Sequence, residues 1–296
     1  MDPPNGAVRR VVPGQNGWMP GDRPARPQSV FVVDRVERLT PHLVRVHLGG
    51  DAFDAFLAGA DPERLAATDK YVKLLLAKPH LGLVPPYDLD ALRETLAPED
   101  VPVRRTYTVR SVDEAAKTIA VDFVVHGDEG LAGPWAAAAQ PGDLLALSGP
   151  GGGYAPSADP AVFHLLVGDD AALPALAAAI EALGTDARGV ALLEVESAAD
   201  QLPLTAPTGV ELRWLHRAGA APGSLLVAAA EELARPEGVV QAFVHGERTA
   251  IKQVRRVLTD GWGLDRADLS LSAYWALGRA EDRFQAEKRE PVGQIF

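Results

Sequence analysis

Val162-Phe163-His164-Leu165-Leu166-Val167, followed at once by Gly168-Asp169-Asp170 and the Ala/Leu-rich run Ala171–Leu183, is the stretch on which the fold turns. The first six residues are almost continuously apolar, with none of the polar alternation of a strand that has one wet face. A strand apolar on both faces, leading directly into a helix, is the repeating step of a parallel sheet covered on each side. The step recurs downstream. Val190–Val195 and Glu211–His216 read as strands, and Gly223–Ala234 as a helix. Val239–His245, Arg248–Asp260 and Leu269–Ala273 then read as strand, helix and strand, and the charged tail Glu281–Arg289 as a short surface helix. The C-terminal half, 157–296, is therefore expected to be an open, mainly parallel α/β sheet.

Upstream the period changes. Ser29–Arg38, Leu43–Leu48, Lys70–Ala77, Arg104–Val112, Thr118–His126 and Asp143–Ser148 are short runs rich in β-branched and aromatic residues, separated by turn signals such as Thr40-Pro41. Such a series predicts an antiparallel barrel or sandwich over 27–156, interrupted by helical pieces at Asp88–Leu96 and Trp135–Ala139. Residues 1–26, rich in Pro, Gly and Arg, read as a flexible leader without the apolar core of a secretory signal. A β-barrel followed by an open α/β sheet is the plan of flavin reductases of the ferredoxin–NADP reductase type, with the flavin on the barrel and the nicotinamide on the sheet. Fold alone does not establish function.

Composition narrows the chemistry. The chain of 296 residues has a formal net charge of −11, a poor match for nucleic acid or anionic lipid. No apolar run approaches the roughly 20 residues that span a bilayer, so membrane insertion is not expected and the expected location is the cytoplasm. There are no cysteines, which removes disulfides, thiolate nucleophiles, Cys-ligated zinc and iron–sulfur clusters together. The seven histidines show no tight ligand spacing, and no protein-held metal is expected. Electrons handled here require an organic cofactor or a haem.

Arg105-Thr106-Tyr107-Thr108-Val109-Arg110 is the most informative segment for function. On a strand Arg105 and Tyr107 face one way, Thr106 and Thr108 the other. A flavin needs an aromatic surface, a hydrogen-bond donor near its redox nitrogen and cationic charge for its pyrophosphate. Tyr107, Thr108 and Arg105 could supply these in that order; an ordinary exposed β-strand would also look like this. Next, Asp122-Phe123-Val124-Val125-His126-Gly127 ends a strand in glycine, and Gly130-Leu131-Ala132-Gly133-Pro134-Trp135-Ala136 leads into a helix whose first N–H groups could receive a pyrophosphate. A plain loop-to-helix junction with Trp135 in the core reads equally from these residues.

Taken in order, Arg-x-Tyr-Thr-x-Arg, Asp-Phe-Val-x-His-Gly, Gly-x-Ala-x-x-Trp-Ala, Pro-Gly-Asp and Gly-Pro resemble the siderophore-interacting protein family. So do Tyr71-Val72-Lys73-Leu74, Pro85-Pro86-Tyr87, Gly168-Asp169-Asp170-Ala171-Ala172-Leu173-Pro174-Ala175, His245-Gly246-Glu247 and Tyr274-Trp275-x-x-Gly278. The likeness runs from about Ser29 to the C-terminus. It implies FAD as cofactor, NADH or NADPH as electron donor and a ferric siderophore as substrate, with ferredoxin as a possible alternative donor. The candidate cofactor-binding set is Arg105, Thr106, Tyr107, Thr108, Asp122, Val124, His126, Gly127, Gly133 and Trp135, with Asp169, Ala172, Glu247, Tyr274 and Trp275 on the sheet side. Two departures stand out. Where the family usually has Ser and a polar or basic residue before the Trp, this chain has Gly133 and Pro134, and Pro134 offers no N–H. Ala171 stands where Thr is frequent. The phosphate would then lean on Arg105 and Arg110.

Ligands of open α/β sheets gather at the carboxyl ends of strands, which makes Gly168-Asp169-Asp170 and His245-Gly246-Glu247 nucleotide-side candidates, although Asp169, Asp170 and Glu247 also suit helix caps. An anionic ferric siderophore would be drawn to cations, with Lys252, Arg255 and Arg279 the substrate-binding candidates and Arg256 and Lys288 further ones. Glu194 and Glu196 favour NADH, Arg217 favours NADPH. The resulting expectation is an FAD-dependent ferric-siderophore reductase that needs no catalytic acid, base or nucleophile of its own. A general NAD(P)H:flavin reductase and a non-enzymatic flavin or siderophore carrier are the alternatives.

Overall fold

Apolar residues at every second position, turned inward, close the first half into a barrel in the computed structural model, which describes residues 27–127 and 130–296. The expected leader lies outside the described residues. Strands β1 (Ser29–Thr40), β2 (Leu43–Gly49), β3 (Tyr71–Leu76), β4 (Val103–Asp113), β5 (Thr118–Val124) and β6 (Leu144–Gly151) are joined in the order β1-β2-β5-β4-β3-β6. Every neighbouring pair is antiparallel. Phe31, Val46, Leu48, Val72, Leu74, Ile119, Val121, Phe123 and Leu147 fill the interior with no exposed surface. The barrel-or-sandwich alternative thus resolves to a closed barrel, which leaves no open sheet edge.

Among the described residues four short α-helices accompany the barrel: α1 (Ala52–Ala58), α2 (Pro62–Ala66), α3 (Leu89–Thr95) and α4 (Ala132–Ala138). The sequence pattern did not predict α1 or α2, because helices of seven and five residues are too short to display a 3.6 period. α1 nevertheless packs against the barrel core through Phe53 and Phe56, the latter edge-on to Phe31 with ring centroids 5.4 Å apart. α4 begins at Ala132, three residues before the expected start at Trp135. Pro134 therefore falls in the first turn, where a missing N–H removes no helical bond.

The second half is a five-stranded sheet of β7 (Phe163–Gly168), β8 (Arg188–Val195), β9 (Val210–His216), β10 (Val240–Glu247) and β11 (Leu269–Trp275), ordered β11-β10-β7-β8-β9 and parallel throughout. The chain enters at the centre with β7, moves to one side with β8 and β9, then crosses to β10 and β11. The carboxyl end of β7 is consequently the point where the winding reverses, the place such sheets offer to ligands. On one face α5 (Leu173–Glu181) covers Leu166, Ala191 and Leu193; on the other α6 (Ser224–Glu232) and α7 (Arg248–Arg256) cover Leu165, Val167 and Val244. Burying each of these leucines and valines completely contributes about 1.5–3 kcal/mol.

α5 also faces the barrel. Leu43 and Val124 of the barrel join its apolar cluster, and Arg110 of β4 pairs with Glu181 of α5. The tail helix α8 (Glu281–Glu287) differs from the expected surface helix. Phe284 is 1% exposed and Glu287 2% exposed, the latter held by Arg248, Arg279 and Arg283, which together hold the carboxyl down at about 2. No helix among the described residues is long and apolar enough to cross a membrane.

Candidate functional site

A cavity of about 490 Å³ opens where β4 of the barrel meets the carboxyl edge of the sheet. Its barrel wall follows from register. Tyr71 pairs with Thr108 and Lys73 with Thr106, so two neighbouring strands deliver an aromatic ring, an ammonium and two hydroxyls to one region. The Lys73 ammonium donates to the Thr106 hydroxyl. Tyr107 turns its ring onto Phe123, with centroids 4.5 Å apart, and burial pushes its phenol upward. Val124 and His126 at the end of β5, and Gly130 to Gly133 at the start of α4, close that wall. Burial also pushes the His126 imidazole downward, favouring its neutral form. The opposite wall carries Ala171, Pro174, Ser272, Tyr274 and Trp275, and α8 contributes Glu281, Gln285 and Lys288.

Beneath the sheet wall lies Asp169, 1% exposed. Its Oδ2 accepts from the Trp275 indole Nε1 at 2.8 Å and from the Glu247 N–H at 2.8 Å. Its Oδ1 accepts from the N–H groups of Ala171 and Ala172 at 3.0 and 3.3 Å. Burial pushes the carboxyl up to about 7, against those hydrogen bonds, which favour the anion. Gly246, at φ +147°, is what lets the β10–α7 turn come this close: a Cβ there would stand 2.7 Å from the Asp169 carboxylate. One side chain thus joins two βα turns to the indole at the cavity.

A second line of hydrogen bonds runs inside the sheet, from Tyr274 at the cavity along β10 and β11. Tyr274 Oη lies 3.1 Å from His245 Nδ1, while His245 Nε2 lies 3.0 Å from Ser270 Oγ. Burial drives the His245 imidazole down to about 3, so it is neutral near pH 7. Its ring stacks on Phe243 at 3.7 Å.

Several expected site residues fall outside the cavity lining, each for a physical reason. Asp169 is enclosed by its four N–H donors, Ala172 is the fully buried residue before α5, and Glu247 caps α7 through the N–H groups of Thr249 and Ala250. Trp135 packs on Phe123 and lines a separate cavity of about 340 Å³ beside Tyr87. Gly127 is an exposed turn at φ +51°. Gly133 does reach the cavity, and it also has a packing reason, since a Cβ there would sit 3.2 Å from the Val124 carbonyl oxygen. Asp122 lines the cavity with its carboxylate already held by Arg45 at 2.6 and 2.8 Å.

The substrate-side candidates lie elsewhere. Lys252 donates to the Val292 carbonyl, Arg255 stands over the Phe296 ring and Arg279 pairs with Glu287; none lines the cavity. The cations that do line it are Lys73, Arg105 and Lys288. Arg105 is paired with Asp282 of α8 at 2.7 Å, and Arg110 with Glu181. The residues expected to choose between NADH and NADPH are joined in one cluster: Arg217 bonds to Asp170 at 2.5 Å, Glu196 at 3.1 Å and Glu194 at 3.4 Å. Glu194 is fully buried and also accepts from the Gly223 N–H at 2.7 Å, so neither it nor Arg217 stands free to read a ribose. Lys73, Tyr71, Glu281 and Gln285 were not among the candidates, whereas Lys288, one of the cations expected to attract the siderophore, does line the cavity. The pairing of β3 with β4 that brings the first two in leaves no mark within either strand's own sequence.

The residues present fit a flavin dinucleotide. A half-buried phenol ring, paired hydroxyls at Thr106 and Thr108, and three cations lie along one cavity at the switch point of the sheet, and two further aromatic rings line its other wall.

Comparison with known proteins adds two family models, one described as the siderophore-interacting FAD-binding domain over residues 32–154, the other as siderophore-interacting protein over 161–278. The ferric vibriobactin reductase ViuB of Vibrio cholerae is 34% identical over 201 residues, 67% of this chain and 74% of that one. The NADPH-dependent ferric-chelate reductase of Escherichia coli is 31% identical over 249 residues, 83% and 91% of the two chains. A siderophore utilization protein from T. fusca, 40% identical, superposes with a TM-score of 0.72 over 86% of this chain and 94% of that one. The barrel-and-sheet plan itself is shared with ferredoxin reductases.

Proposed function

The chain belongs to the siderophore-interacting protein family, and on that premise we propose that it is an FAD-dependent reductase of ferric siderophores, drawing electrons from NADH or NADPH and releasing iron as Fe(II). The observation that carries this reading is the cavity itself, in which the barrel's Tyr107 and Thr108 face Tyr274 and Trp275 of the sheet. The chemistry that bound FAD supplies is the conversion of a two-electron donor into single-electron steps.

The protein's part is to bind, orient and exclude water. In this reading the barrel, 27–156, holds the flavin. Tyr107 packs its ring against it, Thr108 offers a hydroxyl, and Lys73, Arg105 and Lys288 offset the phosphate charge. The sheet, 157–296, holds the nicotinamide at the end of β7, and Trp275, fixed by Asp169, keeps water from the reacting face. The ferric siderophore, as substrate, approaches the mouth of the cavity, where the same cations attract its negative charge. Ferrous iron is held less tightly by hard oxygen ligands, so reduction frees it. Ferredoxin is the alternative donor, and the cytoplasm the compartment where the nicotinamide pool is met.

The test is anaerobic flavin absorbance of the purified protein, first with NADH or NADPH, then with a ferric siderophore. Bleaching by nucleotide and recovery on adding the ferric complex is the expected sequence. A flavin that neither nicotinamide nor reduced ferredoxin bleaches, in a protein that still binds the siderophore, overturns it in favour of a carrier.

A further inference from the structure

NADH and NADPH differ by one 2′-phosphate, which near pH 7 brings nearly two further negative charges. An open α/β sheet has two devices for such an anion: the free N–H groups at a helix start, and a guanidinium at the carboxyl end of its strands. In this chain the protein's own carboxylates occupy both.

The helix starts come first. Asp169 takes the Ala171 and Ala172 N–H groups ahead of α5, and Pro174 in the first turn has none to offer. Glu194, near the end of β8 and fully buried, takes the Gly223 and Leu226 N–H groups at the start of α6, at 2.7 and 3.3 Å. Glu247 takes those of Thr249 and Ala250 at the start of α7. The guanidinium is Arg217, which directly follows β9 and is buried. Its Nη2 donates to Asp170, its Nη1 to Glu194 and its Nε to Glu196. Three carboxylates around one guanidinium leave this corner with a surplus of negative charge.

We propose that this arrangement makes NADH, not NADPH, the nicotinamide donor, with Glu196 as the specificity-determining residue. Glu196 directly follows β8, the neighbour of the switch-point strand β7. An acidic side chain at that place accepts from a ribose 2′-hydroxyl. The Glu196 side chain is 42% exposed, whereas that of Asp170 is 15% exposed and that of Glu194 fully buried, so Glu196 is the member of the cluster open to a ligand. Its Oε2 is held by Arg217 at 3.1 Å, which fixes the carboxylate before any nucleotide arrives. A 2′-hydroxyl donates to it; a 2′-phosphate meets charge of its own sign. For Arg217 to serve the phosphate instead, it would have to leave three carboxylates, one of them enclosed in the sheet. The pyrophosphate is common to both donors and cancels in the comparison. The inference rests on the flavin-reductase reading and narrows its donor to one.

The test mixes the FAD-loaded full chain anaerobically with NADH or NADPH at low salt and follows the flavin absorbance. At equal, subsaturating concentration NADH should bleach the flavin about thirtyfold faster, because like charges brought together are strongly unfavourable. Equal rates, or faster bleaching by NADPH, overturn the proposal. Glu196→Gln keeps a hydrogen-bonding side chain without the charge. It should shrink the preference by about fivefold or more, chiefly through a gain with NADPH. A preference unchanged in that variant overturns the role of Glu196. Should the variant fail to fold, salt decides with the unaltered protein. Raising it from about 20 to about 500 mM should cut the preference several-fold, since exposed charges are screened. A preference indifferent to salt counts against the proposal. Calorimetric titration with ADP-ribose and with its 2′-phosphate makes the same comparison without electron transfer. The phosphorylated form should bind more weakly by a similar factor, and equal affinities overturn the assignment. A flavin bleached by reduced ferredoxin but by neither nucleotide sinks the NADH assignment and leaves the reductase reading standing. A protein that binds the siderophore and is bleached by none of the three sinks both.

Discussion

A carboxylate shut away from water persists only where N–H groups replace the water it has lost, and Asp169 has four of them. Two come from the adjacent turn and were legible as a helix-start signal in Gly-Asp-Asp. The other two come from residues 78 and 106 positions away, which no local pattern encodes. That separation is why Asp169 was expected as a cofactor contact and is instead the brace under Trp275. Asp169→Ala leaves the Trp275 indole and the Glu247 N–H without a buried partner, each costing roughly 1–3 kcal/mol. The expected outcome is a loss of about 2–4 kcal/mol in urea unfolding, with tryptophan emission shifted to the red. Unchanged emission would show that Trp275 keeps its place without this bond. His245 carries a pH signature with a definite sign. Its folded value, about 3, lies below the usual 6.5, so between those limits the unfolded chain binds a proton that the native one does not. Stability from this group falls as pH drops through that window, by about 1.4 kcal/mol per pH unit. Asp169 acts oppositely: its raised carboxyl makes stability rise as pH falls from about 7 towards the usual carboxylate range. His245→Phe should therefore unfold with a visibly shallower loss between pH 6 and 4, measured by urea midpoint at each pH.

At the level of the element, α8 shows where reading charge as solvation misleads. Glu-Asp-Arg-Phe-Gln-Ala-Glu-Lys-Arg looks like a wet surface helix, and its type was correctly legible. What the string does not reveal is that Arg248 and Arg279 lie within reach of Glu287, or that Phe284 has a slot to enter. Three guanidiniums on one carboxylate make the difference between a solvated charge and a docking point. Because the Glu287 carboxyl is held at about 2, below its ordinary value, its contribution is present above the usual glutamate range and is lost as pH falls towards 2. Phe284→Ala removes the apolar half of the dock, at a cost of about 3 kcal/mol. The expected result is that trypsin cuts the tail at its arginines while the barrel and sheet remain resistant. A tail that stays protected would mean that the ion cluster alone suffices.

Across the whole molecule, the two-part plan was legible because the change from period-two strands to doubly apolar strands is strong and sustained. The surface where the parts meet was not, since it is built from pairs such as Arg110 with Glu181 and Arg105 with Asp282, one member from each half. Arg105 illustrates the consequence. Its place on β4 predicted a phosphate contact, yet its guanidinium stands against a carboxylate of α8. A phosphate arriving in the cavity must compete with Asp282, whose side chain is 71% exposed, so the bridge itself is worth only about 0.2–1 kcal/mol. Asp282→Ala should accordingly tighten FAD binding by about two- to fivefold in a fluorescence titration. Arg105→Ala should weaken it by tenfold or more, because a charge-assisted phosphate contact is worth about 1.5–3 kcal/mol. The double variant separates the effects: removing Asp282 should bring no gain once Arg105 is absent. A gain that persists in the double variant would mean that Asp282 repels the phosphate directly, and that Arg105 stays with α8 while Lys73 and Lys288 hold the cofactor.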